Sequence, residues 1–196
     1  MVCLNLPPHL RYKPENMYLA GLVPGPKPLC QHQINPFLDI LVDQLLPSFN
    51  PGLFYTRTAD YAGGRHVRAA LVPLVSDILA ARSATGLGAA TRGDHFCSVC
   101  NIHKDNIETT DHTKWAPRDA RTHWKLAEQW RDATTEQERQ NIFAQHRVRW
   151  TPLLRLSYWD PCTMIVVDSM HNLLLGVGKR HSLVLWGMRE DRPDGD

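Results

Sequence analysis

Proline cuts the hydrophobic runs of this chain into short lengths. Fourteen of the 196 residues are proline, many set between brief apolar stretches. Proline cannot donate to a β-ladder and breaks a helix interior, so each stretch has room only for a short strand or helix. The longest apolar stretches, such as Met164-Ile-Val-Val167 and Leu183-Val-Leu-Trp186, fall far short of the ~20 residues that span a bilayer. A transmembrane span is therefore excluded. The opening Met1-Val-Cys-Leu-Asn-Leu-Pro-Pro8 has no basic region and no clear cleavage site, which argues against a secretory signal. Hydrophobic residues make up 43% of the chain, enough for a core, and the 5 cysteines, an odd number, suit a reduced compartment better than a disulfide framework.

Along the chain, Val2-Cys-Leu-Asn-Leu6 and Met17-Tyr-Leu-Ala-Gly-Leu-Val23 read as two short strands, the second closed by Pro24-Gly-Pro26. Asn35-Pro36 reads as an N-cap followed by proline at the first helical position. Phe37, Leu38, Leu41, Val42, Leu45 and Leu46 then form one stripe of near-3.6 period that Pro47 ends. The run Val67-Arg-Ala-Ala-Leu-Val-Pro-Leu-Val75 reads as one largely buried strand, followed by a short helix from Ile78 to Ala84. From about residue 93 the character changes. Polar helices are expected over about 117–131 and from Thr135, where Thr135-x-x-Glu138 spells a capping box. Five of the six tryptophans lie between Trp115 and Trp159, and between Lys114 and Arg155 nine Lys and Arg face five Asp and Glu. Met164 to Val167 resumes as strand, and a helix capped by Asp168 or Ser169 follows.

Several residues stand where chemistry could use them. Asp77 and Asp168 each follow an apolar strand and precede a helix. Such a carboxylate can offer hard oxygens to Mg²⁺ from a rigid position, or simply cap the helix. Cys97-x-x-Cys100 is half of a tetrahedral zinc site, with His95, His103 and His112 nearby and His123, His146, His171 and His181 farther away; two unrelated thiols or a redox pair are the other readings. Arg65, His66 and Arg68 flank a strand, and Arg147, Arg149 and Arg155 flank Trp150. Basic residues interleaved with aromatics can grip phosphates and stack bases, or can be an ordinary solvated face over core tryptophans. There is no Gly-rich phosphate loop and no nucleophile-elbow serine.

Eight phrases occur in one order: Leu4-Asn-Leu-Pro-Pro8; Arg11-Tyr-Lys-Pro-Glu-Asn16 with Leu19-Ala-Gly21; Pro24-Gly-Pro26; Leu71-Val-Pro-Leu-Val-Ser-Asp77 with Ala80-Ala-Arg82; Cys97-Ser-Val-Cys100; Arg149-Trp150 with Leu153-Leu-Arg-Leu156; Tyr158-Trp-Asp-Pro161; and Val166-Val-Asp-Ser-Met-His-Asn172. In these the sequence resembles the transposases of fungal CACTA (En/Spm-type) DNA transposons, over about residues 2–187. The resemblance implies an α/β fold, an incomplete ribonuclease H-like core of the DDE kind interrupted by a helical zinc-binding insertion. The division expected is 1–89 partial core, 90–163 insertion, 164–188 return to the core and 189–196 disordered tail.

By the same resemblance Asp77, Asp168 and Glu190 are the catalytic candidates for Mg²⁺-dependent DNA cleavage and joining. Cys97, Cys100, His171 and His181 are the zinc candidates, with His103 the second choice for the fourth ligand. Arg65, Arg68, Arg147 and Arg149 are the candidates for DNA contact. The family's first catalytic Asp precedes the Leu-Asn-Leu-Pro-Pro strand, so a truncated fragment inactive on its own is expected. The alternative is a zinc-stabilised DNA- or protein-binding module without catalysis. DNA is the expected partner and the nucleus the expected location; a homo-oligomer stays open, and no membrane partner is expected.

Overall fold

The computed structural model describes residues 1–23, 25, 29, 31–89 and 96–188. Its regular elements are as short as the prolines require. Helix α1 (Pro8–Arg11) and a 3₁₀ turn at Pro14–Asn16 fill the space between the two strands expected near the N-terminus, which shrink to a single antiparallel bridge, Val2 to Met17. Pro7 and Pro8 supply no N–H, and the Arg11 guanidinium takes the Leu4 and Leu6 carbonyls, so no ladder can propagate there. The turn expected at Pro24-Gly-Pro26 lies largely outside the described residues.

Helix α2 (Asn35–Phe49) carries the expected stripe but runs through Pro47, whose ring sits in the last turn. Asn35 does not cap it: Ile34 precedes the first turn, and the Asn35 side-chain amide donates instead to the Trp150 carbonyl at 3.1 Å. The single strand expected over 67–75 is two strands in two sheets. β1 (Leu53–Tyr55) pairs antiparallel with β2 (Arg65–Val67), and β3 (Leu74–Ser76) pairs parallel with β4 (Ile165–Val167). Between β2 and β3 the chain leaves one sheet for the other, with Pro73 at the crossing.

Helix α3 (Ile78–Ala84) follows β3 directly. Helices α4 (Ala120–Asp132) and α5 (Glu136–His146) form a hairpin, the second opened by the expected capping box of Thr135 and Glu138. After β4 a π-wound segment, Met170–Gly178, runs into α6 (Lys179–Val184). The fold is thus mixed α/β with small sheets, and no helix among the described residues is long and apolar enough to cross a membrane.

Two apolar clusters meet along one segment. Ala81, Leu87, Ala127, Val148, Leu154 and Ile165 form the first; Val42, Leu153, Leu156 and Trp159 form the second. The 3₁₀ turn Pro152–Arg155 alternates its leucines between them, Leu154 into one and Leu153 into the other. Each fully buried leucine there contributes roughly 1.5–3 kcal/mol of transfer free energy. The Thr151 hydroxyl donates to the Ala84 carbonyl at 2.7 Å, and the Leu71 N–H donates to the Tyr158 hydroxyl at 2.9 Å. These bonds tie the ends of α3 and the approach to β3 to the same hub. Together they fix where the two parallel strands end.

Candidate functional site

β3 and β4 run in register, Leu74 beside Ile165, Val75 beside Val166, and Ser76 beside Val167. Leu74 and Ile165 turn into the core while Val75 and Val166 are exposed, the period-2 pattern of a sheet with one covered face. The ladder extends one bond further, from the Asp168 N–H to the Ser76 carbonyl at 2.9 Å. Asp77 and Asp168 therefore leave the two strands side by side, at the carboxyl end of the sheet. Asp77 is also the N-cap of α3, whereas the N-cap of the segment after β4 is Ser169 and Asp168 stands one residue before it.

Asp77 Oδ1 accepts the Leu79 and Ala80 N–H groups, both at 2.9 Å, which leaves its second oxygen outside the capping bonds. Asp168 is more fully engaged. Its Oδ1 accepts the Met170 N–H at 3.0 Å, and its Oδ2 receives the His171 N–H at 3.4 Å and meets His171 Nδ1. The His171 side chain first, then the Met170 N–H, hold the Asp168 carboxyl below its ordinary pKa. Glu190, the third carboxylate expected, lies outside the described residues, as does His95.

The cysteine pair is organised by its own backbone. Cys97 Sγ accepts the Val99 and Cys100 N–H groups, both at 3.4 Å. Burial pushes the Cys97 thiol up, but those N–H groups, the Cys100 side chain and the Arg118 cation outweigh it and set its pKa below the ordinary value. Cys100 moves the other way, raised by burial. A buried and a half-buried arginine clamp this loop: the half-buried Arg118 donates from Nε to the Cys97 carbonyl at 2.8 Å, and the buried Arg82 donates from Nη1 to the Phe96 carbonyl at 2.6 Å. Burial lowers both guanidinium pKa values, that of Arg82 to about 10.

The structure does not bring the expected partners to the pair. His171 stands against Asp168, and His181 lies edge-on to Trp186 with ring centroids 5.4 Å apart. His103 Nδ1 accepts the Asp105 N–H at 3.3 Å. Among the described residues, no three His, Cys, Asp or Glu side chains lie close enough to hold a metal ion.

The arginines expected to meet nucleic acid fall into two groups. Arg65 lies over the Tyr61 ring at 4.6 Å and Arg68 Nε donates to the Pro51 carbonyl, both on the β1–β2 hairpin. Arg147 and Arg149 both stack on Phe143, at 5.6 and 3.7 Å, while Arg131 covers Trp150 at 4.4 Å. Arg155 leaves the group: its guanidinium bridges Asp39 at 2.7 Å and Asp43 at 2.5 Å on α2.

The sequence offered His123 only as a distant zinc donor and Trp159 only as one of a cluster of tryptophans. His123 is 3% exposed, neither ring nitrogen has a partner among the described residues, and burial first and Arg118 second press its pKa down to about 4. Trp159 is 1% exposed, and its indole N–H likewise has no partner among the described residues. The tryptophan-rich stretch pointed to the region, but only the packed fold shows which polar atoms it strands.

Set against known proteins, a family model described as Transposase family tnp2 matches residues 1–147, a span that includes Asp77, Cys97 and Cys100 and ends before β4. No curated protein and no solved structure matches the chain.

Proposed function

Because the chain belongs to the tnp2 transposase family, we propose that Asp77 and Asp168 are a carboxylate pair for divalent-metal-dependent cleavage and joining of DNA strands. The observation that carries this reading is the parallel ladder of β3 and β4, which ends both strands on aspartate. Hard oxygens at rigid strand ends suit Mg²⁺, which takes one or two protein carboxylates and completes its shell with water and substrate phosphate. Asp77 would offer the oxygen its cap leaves unused, and Asp168 the oxygens now shared with Met170 and His171. When bound, the ion supplies Lewis-acid stabilisation of charge on the phosphoryl group.

The chain's own residues do the positioning. Backbone N–H groups at the start of the segments that follow hold both carboxylates in place, and Asp168 holds His171 through Nδ1 while Nε2 stays outside that contact. Glu190 is the proposed third carboxylate. A ribonuclease H-like core, membership of the fungal CACTA branch and nuclear residence complete the proposal, resting on the eight ordered phrases. Zinc fits less well. Cys97 and Cys100 supply two thiolates where a structural site takes four ligands, so no step here is assigned to it. A second reading, a nucleic-acid-binding module without catalysis, draws on the arginines stacked over Phe143 and Trp150.

Titrating Mn²⁺ into the protein bound to duplex DNA, with Asp77→Asn and Asp168→Asn alongside, tests the proposal. Each variant is expected to weaken ion binding about tenfold or more. Ion binding unchanged in both variants would remove the carboxylate pair from the mechanism.

A further inference from the structure

A groove of about 450 Å³ lies between helix α4 and the segment that leads towards β4. On one wall α4 presents Arg121, Trp124 and Lys125; the other wall is Tyr158, Trp159 and Asp160. The volume falls within the range of small-molecule sites. Arg121 and Lys125 stand one helical turn apart with exposed side chains, a pair spaced for one phosphate. Trp124 is half-buried, its inner part packed on the first apolar cluster and its remainder open to the groove. Tyr158 is fixed by the Leu71 N–H and by the Phe49 ring, 4.2 Å away between centroids, so the aromatic wall is rigid.

Trp159 adds an independent pointer. Its side chain is almost entirely buried, lines this groove, and carries an indole N–H for which no described residue provides an acceptor. A buried donor left unpaired is costly, and ligands or waters are what usually answer such a group. Glu128, also on the lining, contributes a carboxylate acceptor. Cations for a phosphate, aromatic faces for a ring, and one donor and one acceptor for polar edges are the parts of a nucleotide site.

We propose that this groove takes an unstacked nucleotide of a single DNA strand, its phosphate on Arg121 and Lys125, its base against the rings of Trp124 and Tyr158 and its polar edge towards the buried Trp159 N–H. The proposal deepens the DNA-directed reading above and rests on it for the choice of DNA. The full chain is titrated with a labelled single-stranded oligonucleotide, with the same backbone made abasic, and with duplex of equal length. Wild type is expected to bind the base-bearing strand at least tenfold more tightly than the abasic one.

The double variant Arg121→Ala with Lys125→Ala should lose about tenfold in affinity for the single strand. Its salt dependence should flatten by about 1.4 in log–log slope, two released counterions at ~0.7 each. Trp159→Phe keeps most of the ring and removes the N–H, and should lower the preference for bases over abasic sites several-fold. Equal binding of base-bearing and abasic strands by wild type, or an unaltered single-strand affinity in the double variant, overturns the proposal. Duplex binding is read separately: a wild type that ignores duplex but still prefers the base-bearing strand defeats the family-level reading and leaves the groove's assignment standing.

Discussion

Replacing His123 with phenylalanine should remove a specific piece of the protein's acid sensitivity. The imidazole is sealed beside Arg118 with neither nitrogen paired among the described residues, and its pKa falls from the usual 6.5 to about 4. An unfolded chain takes up the proton near 6.5 while the folded one does not, so between these values the unfolded state binds more protons and stability falls as pH falls. No cost arises above pH 7. The cost grows through pH 6.5 and levels off below about 4, where the full shift is worth about 3 kcal/mol at 1.36 kcal/mol per pH unit. At pH 5 about 2 kcal/mol of it is already expressed.

Urea unfolding of wild type and His123→Phe at pH 7 and pH 5 isolates the term, because the other nine histidines are common to both. Wild type should lose about 2 kcal/mol more than the variant between the two pH values. In thermal melts that difference is about 4–8 °C for a chain of this size. At pH 7 the variant should be close to neutral, since removing an unpaired buried polar group offsets the strain of a slightly larger ring. Identical pH dependence in the two proteins would refute the reasoning, for it would mean the folded imidazole accepts its proton as readily as the unfolded one.

Two further outcomes follow from local geometry. Asp77→Ala should cost about 1 kcal/mol, a melting shift of about 2–4 °C, by orphaning the Leu79 and Ala80 N–H groups, whereas Asp77→Asn keeps the acceptor and should stay within a few tenths; equal losses in calorimetry would show that charge, not capping, matters for the fold. Gly86→Ala should destabilise by more than about 1 kcal/mol in urea titration, because Gly86 sits at φ +75 and a Cβ there would lie 2.3 Å from the Arg149 carbonyl oxygen; a neutral result would mean that the turn at Gly86 and the backbone at Arg149 separate without cost.

What could be read from the sequence was what is local in the chain. Helix α3 with Asp77 ahead of it, and α5 with its Thr135–Glu138 box, are decided by neighbours within four residues, and both appear where the spacing put them. The run from Val67 to Val75 was misread because its division depends on partners at unrelated distances. β2 answers to β1 a few residues upstream, and β3 to β4 on the far side of α4 and α5. His171 was expected beside Cys97 and Cys100 on the strength of the family resemblance. Its nearer competitor, the carboxylate three residues before it on the same helical turn, takes its Nδ1 instead. Arg155 had an equally invisible rival in the two aspartates on the outer side of α2.

From the chain alone, capping a helix and holding a cation looked like competing roles for Asp77 and Asp168. Geometry makes them compatible for one residue and coupled for the other. Capping takes only Oδ1 of Asp77, and in taking it fixes the side chain so that Oδ2 has a defined place at the end of β3; the bonds that stabilise α3 thus prepay the ordering a ligand would otherwise require. Asp168 gives both oxygens to Met170 and His171, so a cation can reach it only as the imidazole yields or shares that carboxylate. His171→Ala should therefore raise any divalent-ion affinity that depends on Asp168 several-fold by releasing Oδ2, whereas Asp77→Asn should lower the affinity. Mn²⁺ titrations of the two variants against wild type measure both. An affinity lowered in His171→Ala and unchanged in Asp77→Asn would reverse the roles argued for the two aspartates.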